Sequence, residues 1–327
     1  MLMDHPKPNI NFLYSRFIGL AGKLVKNKPF RFFIAILAIG FCISYLVKNL
    51  HDMKSVQVYI NFNGLFFFFS FGIVSLIVLT GGIVWIFLIK GLHQKINILE
   101  GLGIQNFSNI TKYVPGFIWP YASKIILSKE NGINQNAAGF SVVLEFSLVI
   151  FMGFLVGVYY IPDNYSSKIA FINGNLNLFR SFVFGGVLLF LGVVTSLLRL
   201  IQKRLSIHFS VDSKYLLAAS SLLTFNWLGL GIALWLLSKS FYSLTPASFD
   251  LFVFSFVVSV ISGILFLPVP NGIGVRESVM VFLLSEQLPS SVAVMIAILS
   301  RLLITLGEVV NYFGIFILLK LLTRRKR

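Results

Sequence analysis

The chain has 327 residues, 57% of them hydrophobic and 12% charged, with a mean hydropathy of +0.88. No soluble domain has this composition, and it leaves no room for a soluble catalytic domain. The net charge of +16 is accounted for by the positive-inside rule rather than by nucleic-acid binding. Lysines and arginines cluster at the ends of apolar runs: Lys23, Lys26, Lys28 and Arg31; Lys90 and Lys95; Arg199, Lys203 and Arg204; Arg324 to Arg327.

In chain order, residues 1–29 read as a cytoplasmic basic segment carrying an interfacial helix over 12–27. Leu13, Phe17, Leu20 and Leu24 share its apolar face. One transmembrane domain over 30–320 follows, then a basic cytoplasmic tail over 321–327. Apolar runs predict spans near 30–48, 64–89, 136–160, 179–201, 215–238, 249–267 and 291–320. The first is read as a retained span rather than a removed signal peptide. It carries the single cysteine, Cys42, so an intrachain disulfide is impossible. The fold class is therefore all-α, a polytopic transmembrane bundle.

Two stretches interrupt this pattern in the same way. Tyr113-Val-Pro-Gly-Phe-Ile-Trp-Pro-Tyr-Ala-Ser-Lys124 lies in a broken segment near 104–129. Pro268-Val-Pro-Asn-Gly-Ile-Gly-Val-Arg-Glu277 opens another near 268–289. Pro115 and Pro270 stand 155 positions apart, close to half the chain. Paired Pro/Gly interruptions in two halves point to a substrate site at the interface of an internal repeat. Irregular backbone at membrane depth is tolerated only when packed in protein or lining a wet cavity. Keeping the basic loops on one side makes the first segment re-entrant and favours a crossing for the second, which the sequence leaves open between crossing and re-entry, with both termini cytoplasmic.

Charged residues in apolar segments are costly, roughly 2.5–3.5 kcal/mol each on insertion scales. Six stand in or beside them: Lys124, Glu145, Arg276, Glu277, Arg301 and Glu308. Arg301, Thr305 and Glu308 fall at i, i+4 and i+7 on the last span and so share a face. Glu145 follows Pro115 by 30 positions and Arg301 follows Pro270 by 31, so pseudo-symmetry predicts that the two approach each other. Gly272 and Gly274 would let an anion approach the backbone at the start of a helix, with Arg276 on its first turn and Asn271 as cap or headgroup contact. Pro115 and Gly116 are the corresponding break in the first half. On the 215–238 span, Ser220, Thr224, Trp227 and Gly231 form a face better explained by packing than by a site. His5, His51, His93 and His208 are scattered without metal-ligand spacing, and neither an Asp-x-Asp pattern nor a Ser/His/Asp set is present. No cofactor, metal or catalytic residue is therefore assigned.

The Lys112-Tyr-Val-Pro-Gly-Phe-Ile-Trp119 stretch, with Lys124 and Glu145, resembles the first signature of the lysylphosphatidylglycerol synthase transmembrane-region family of flippase-like membrane proteins. Pro270-Asn-Gly-Ile-Gly-Val-Arg-Glu277 resembles its second signature. The resemblance spans about residues 15–320. It implies a bacterial or archaeal cytoplasmic (inner) membrane protein that moves lipids between leaflets. Members that carry a separate cytosolic synthase domain also attach the amino acid. This sequence ends at Arg327, and lysyl transfer is not expected of it.

The expectation is a protein that binds and translocates an anionic phospholipid or a polyprenyl-phosphate-linked glycan intermediate. Lys124, Arg276 and Arg301 would hold the phosphate, and Glu145, Glu277 and Glu308 would balance charge or couple to protons. Envelope-synthesis enzymes are possible partners. The alternatives are a membrane-embedded glycosyltransferase or an accessory scaffold of cell-envelope glycan or lipid synthesis.

Overall fold

The computed structural model describes residues 62–114, 118–162, 181, 211–244, 249–266, 272 and 274–325. The expected interfacial helix over 12–27, the spans at 30–48 and 179–201, and Pro115, Gly116 and Asn271 lie outside the described residues. Those described are helical, with no strand among them. The helices are α1 (Gly64–Gly91), α2 (Ile98–Thr111), α3 (Trp119–Glu130), α4 (Gln135–Tyr159), α5 (Ser213–Lys239), α6 (Phe249–Leu265), α7 (Val275–Leu284) and α8 (Ser290–Arg325).

Polar residues at the ends of the apolar runs set the helix starts. Asn63, Asn97, Asn134 and Asp212 each accept a backbone N–H from the first turn of α1, α2, α4 and α5. In α7 the start is Gly274, whose N–H donates to Glu277 Oε2 at 2.6 Å, as the reaching-back half of a capping box. Helices α1, α4, α5 and α8 have 28, 25, 27 and 36 residues, more than the roughly 20 needed to cross a bilayer. All four are apolar enough to do so, which makes this a multi-pass membrane protein.

Helices α2 and α3, with 14 and 12 residues, are each too short to cross at about 1.5 Å per residue. They pack on one another and double back. Ser123 Oγ on α3 lies 3.1 Å from Thr111 Oγ1 and 3.3 Å from Ser108 Oγ on α2. This is a re-entrant hairpin, as expected for the first broken segment, though it begins at residue 98 rather than 104.

The second broken segment, which the sequence left open between crossing and re-entry, also doubles back. It does not cross. Helix α7 has only 10 residues, about 15 Å of helix, and its start turns back onto the end of α6. A Cβ placed on Gly272 would sit 2.5 Å from Gly263 Cα, and Gly272 and Gly274 have φ of +61° and +84°. Only glycine combines that close approach with those backbone angles. So α6 and α7 form a second re-entrant hairpin, and the run 249–267 is not a full span. A hairpin and two crossings both return the chain to the side it left. The end of α8 therefore lies on the same side whichever form the segment takes.

The two halves repeat the same order: long helix, short helix, break, short helix, long helix. Helices α1 to α4 correspond to α5 to α8. Pairings match across the halves: α1–α2 with α5–α6, α2–α3 with α6–α7, α3–α4 with α7–α8, α1–α8 with α5–α4, and α2–α8 with α6–α4. Close approaches match as well. A Cβ on Gly82 of α1 would meet Leu102 of α2 at 2.6 Å, and one on Gly231 of α5 would meet Val253 of α6 at 2.6 Å.

The equivalent helices α1 and α5 pack against each other and run antiparallel. Asn63 N–H donates to Ser240 O at 2.8 Å at one end, and Asp212 N–H to Gly91 O at 2.9 Å at the other. Near mid-length, Thr80 Oγ1 donates to Asn226 Oδ1 at 2.7 Å. Equivalent helices of opposite direction make the repeat an inverted one. The end of α4 lies at one end of the bundle, where Tyr160 packs on Phe249. The start of α5 lies at the other, at Gly91.

Candidate functional site

Both breaks converge on α8. Arg301, Thr305 and Glu308, all buried, present one face of that helix. The first break reaches it through two consecutive residues. Lys112, which ends α2, donates from Nζ to Glu308 Oε1. The Tyr113 hydroxyl lies 3.0 Å from Glu308 Oε2 and 2.8 Å from Thr305 Oγ1. A phenol has one proton to give, and the carboxylate is the stronger acceptor. Thr305 Oγ1 donates in turn to the Arg301 carbonyl at 2.9 Å.

The second break reaches the same face one to two turns away. Arg301 Nη1 donates to Glu277 Oε1, while Glu277 Oε2 holds the Gly274 N–H. Each carboxylate therefore uses both oxygens, and each ties one break to α8. Side-chain exposures of 12% for Glu277 and 8% for Glu308 mean that losing a partner would leave a buried charge unmatched.

Arg276 stands apart. It lies within electrostatic reach of Arg301, Glu277, Glu308 and Tyr113, and its guanidinium sits 5.1 Å from the centre of the Phe256 ring on α6. Among the described residues it makes no hydrogen bond or ion pair. Helix α7 holds it half-buried beside the break. A half-buried guanidinium over an aromatic ring is positioned to take an anion.

Lys124 and Glu145 form a separate cluster. Lys124 Nζ on α3 donates to Glu145 Oε2 on α4, and the ammonium lies 5.3 Å from the centre of the Trp85 ring. Gln105 Nε2 on α2 lies 3.3 Å from Glu145 Oε1. The pair pins α3 to α4 as Glu277–Arg301 pins α7 to α8, with the charges exchanged between short and long helix.

The expected approach of Glu145 to Arg301 therefore gives way to two pairs, each within its own half. Pseudo-symmetry relates the positions, but each charge has a partner of opposite sign on the adjacent short helix. Of the six charges singled out from sequence, four gather around α8 and two form the α3–α4 pair. Gly272 and Gly274 shape the second break. The residues that sequence reasoning missed are Lys112, Tyr113 and Gln105. Lys112 and Tyr113 stand three and two positions before Pro115, and that proximity to the break is the signal that could have found them. Trp227 belongs to the core, its Nε1 donating to Val149 O at 3.2 Å, in keeping with a packing role.

Four cations and three carboxylates thus line the two breaks, and among these described residues only Arg276 makes no ion pair. No protein-family model matches this chain, and no curated protein matches it.

Proposed function

We propose that this chain binds the phosphate of an anionic lipid, a phospholipid or a polyprenyl-phosphate-linked glycan intermediate, where the two re-entrant hairpins meet α8, and passes the headgroup between leaflets. The observation that carries this reading is Arg276, a cation in no ion pair among the described residues, beside paired breaks in an inverted repeat. Binding sites in such repeats lie where discontinuous helices meet near mid-membrane. Leu265 and Phe266 beside the second break are exposed apolar residues, so lipid chains can stay in the bilayer while the headgroup takes the polar path. The likeness of both Pro/Gly signatures to flippase-like membrane proteins supports the same reading.

Orientation follows from charge. Lys95, Lys129, Lys214 and Lys320 lie toward the bundle end formed by Gly91 and Asp212, and Lys239 toward the other. The positive-inside rule then puts the Gly91 end, with the end of α8, in the cytoplasm. We assign the chain to a bacterial or archaeal inner membrane on the resemblance alone.

The test is reconstitution in vesicles with a headgroup-labelled anionic phospholipid and a membrane-impermeant quencher. Protein-dependent exposure of inner-leaflet label, reduced at least about tenfold by Arg276→Gln, supports transport. Equal rates with and without protein would reject it for that cargo class. The accessory-scaffold alternative draws on the internal pairing of the other charges, which can hold helices together without a ligand. It requires Arg276→Gln to leave function intact.

A further inference from the structure

Resting on that reading, we infer that the headgroup carries a single negative charge: the site is matched to a phosphodiester and selects against a diphosphate. Around α8 the described residues place Lys112, Arg276 and Arg301 against Glu277 and Glu308, three positive groups against two negative. Both carboxylates have every oxygen occupied, so neither is free to rearrange around a second incoming charge. A phosphodiester bound at Arg276 brings the cluster to neutrality. A diphosphate would leave one or two negative charges unmatched in a low-dielectric setting, which is costly. A zwitterionic headgroup would leave Arg276 with an internal competitor. Selection here comes from penalising the wrong charge as much as from attracting the right one.

A phospholipid such as phosphatidylglycerol and a prenyl phosphoryl-sugar both present this chemistry. The experiment measures binding to the full-length protein in detergent at fixed salt. Three probes share dioctanoylglycerol chains: phosphatidylcholine, phosphatidylglycerol and diacylglycerol pyrophosphate. A fourth is a short prenyl phosphoryl-sugar. The parent is expected to bind a phosphodiester at least about tenfold more tightly than the pyrophosphate. The tighter of phosphatidylglycerol and the prenyl phosphoryl-sugar identifies the source.

Two variants shift the balance by one charge each. Arg276→Gln lowers it to zero and should abolish the preference for phosphatidylglycerol over phosphatidylcholine. Glu308→Gln raises it to two and should turn the preference toward the pyrophosphate. That gain of binding cannot arise from misfolding. A parent that binds the pyrophosphate most tightly, or a Glu308→Gln protein that binds probes in the parent's order, overturns the charge match while leaving a lipid site in place. A parent that binds none of the probes overturns the lipid-site reading itself.

Discussion

Arg301 and Glu308 stand on one face of α8, about two turns or 10 Å apart along the axis, and each anchors a different broken segment: Arg301 through Glu277, Glu308 through Lys112 and Tyr113. A single continuous helix thereby carries charged contacts to both breaks. Any movement of one hairpin relative to α8 must break a charged contact.

The first prediction separates folding from function at Glu308. Glu308→Ala strands Lys112 and should destabilise the protein by about 3–5 kcal/mol. The double variant Lys112→Met/Glu308→Leu removes both charges and should recover most of that loss, read as a thermal midpoint in detergent. It should not recover lipid translocation. Recovery of both would reduce the pair to a structural tie.

Charge exchange tests the partners of Glu145. Lys124→Glu with Glu145→Lys should restore the stability lost in either single variant, because the pair is preserved with its sign reversed. Combining Glu145→Arg with Arg301→Glu should restore nothing, because each new side chain would then face a like charge. The arginine introduced on α4 would clash with Lys124, and the glutamate introduced on α8 would clash with Glu277. Thermal midpoints of the four single and two double variants decide between the pairings.

The two left-handed glycines should differ. Gly272→Ala meets the Gly263 backbone at 2.5 Å as well as φ of +61°, whereas Gly274→Ala meets open space at φ of +84°. Gly274→Ala should cost about 1–3 kcal/mol, from backbone strain alone. Gly272→Ala must also push the second break off α6 and should cost clearly more, visible as a lower yield of monodisperse protein and a lower melting point.

The inverted repeat gives a matched pair with an unequal outcome. On Gly82 an added methyl meets the tip of Leu102 at 2.6 Å. On Gly231 it meets Val253 Cγ2 at 2.6 Å and the Val253 Cα at 2.9 Å. A leucine tip can rotate and a main chain cannot. Gly231→Ala should therefore lower the melting midpoint more than Gly82→Ala.

Topology is testable with single cysteines in a Cys42→Ser background. Lys95→Cys, Gly132→Cys and Asp212→Cys should be modified from one face of the membrane, and Tyr242→Cys and Glu286→Cys from the other. Modification of residues 95 and 132 from opposite faces would show that α2 and α3 cross.

The long helices were legible because their apolar runs are long enough to cross a bilayer, and three of them start just after a polar residue, Asn63, Asn134 or Asp212. The polar stripe on α8 was legible because its three residues keep helical spacing. The second hairpin was not. An apolar run over 249–267 is long enough to cross, and hydropathy does not register that the chain turns back at Gly272. Lys112 was hidden because a lysine at a helix end reads as an interfacial charge. Its burial depends on a glutamate nearly two hundred positions away. Pseudo-symmetry was visible in the spacing of Pro115 and Pro270, but spacing cannot give direction. The antiparallel packing of α1 on α5 supplies it.

That antiparallel pairing means the scaffold looks nearly the same when turned upside down. What distinguishes top from bottom is the sequence of its loops. Lys129-Glu130 at the end of α3 corresponds to Ser285-Glu286 just past α7, so the cationic member is present at one end and missing at the other. Orientation is therefore encoded separately from packing. Moving a few lysines from the Gly91 end to the Ser240 end should insert the same folded bundle the other way up, its core intact and its hairpins facing opposite compartments.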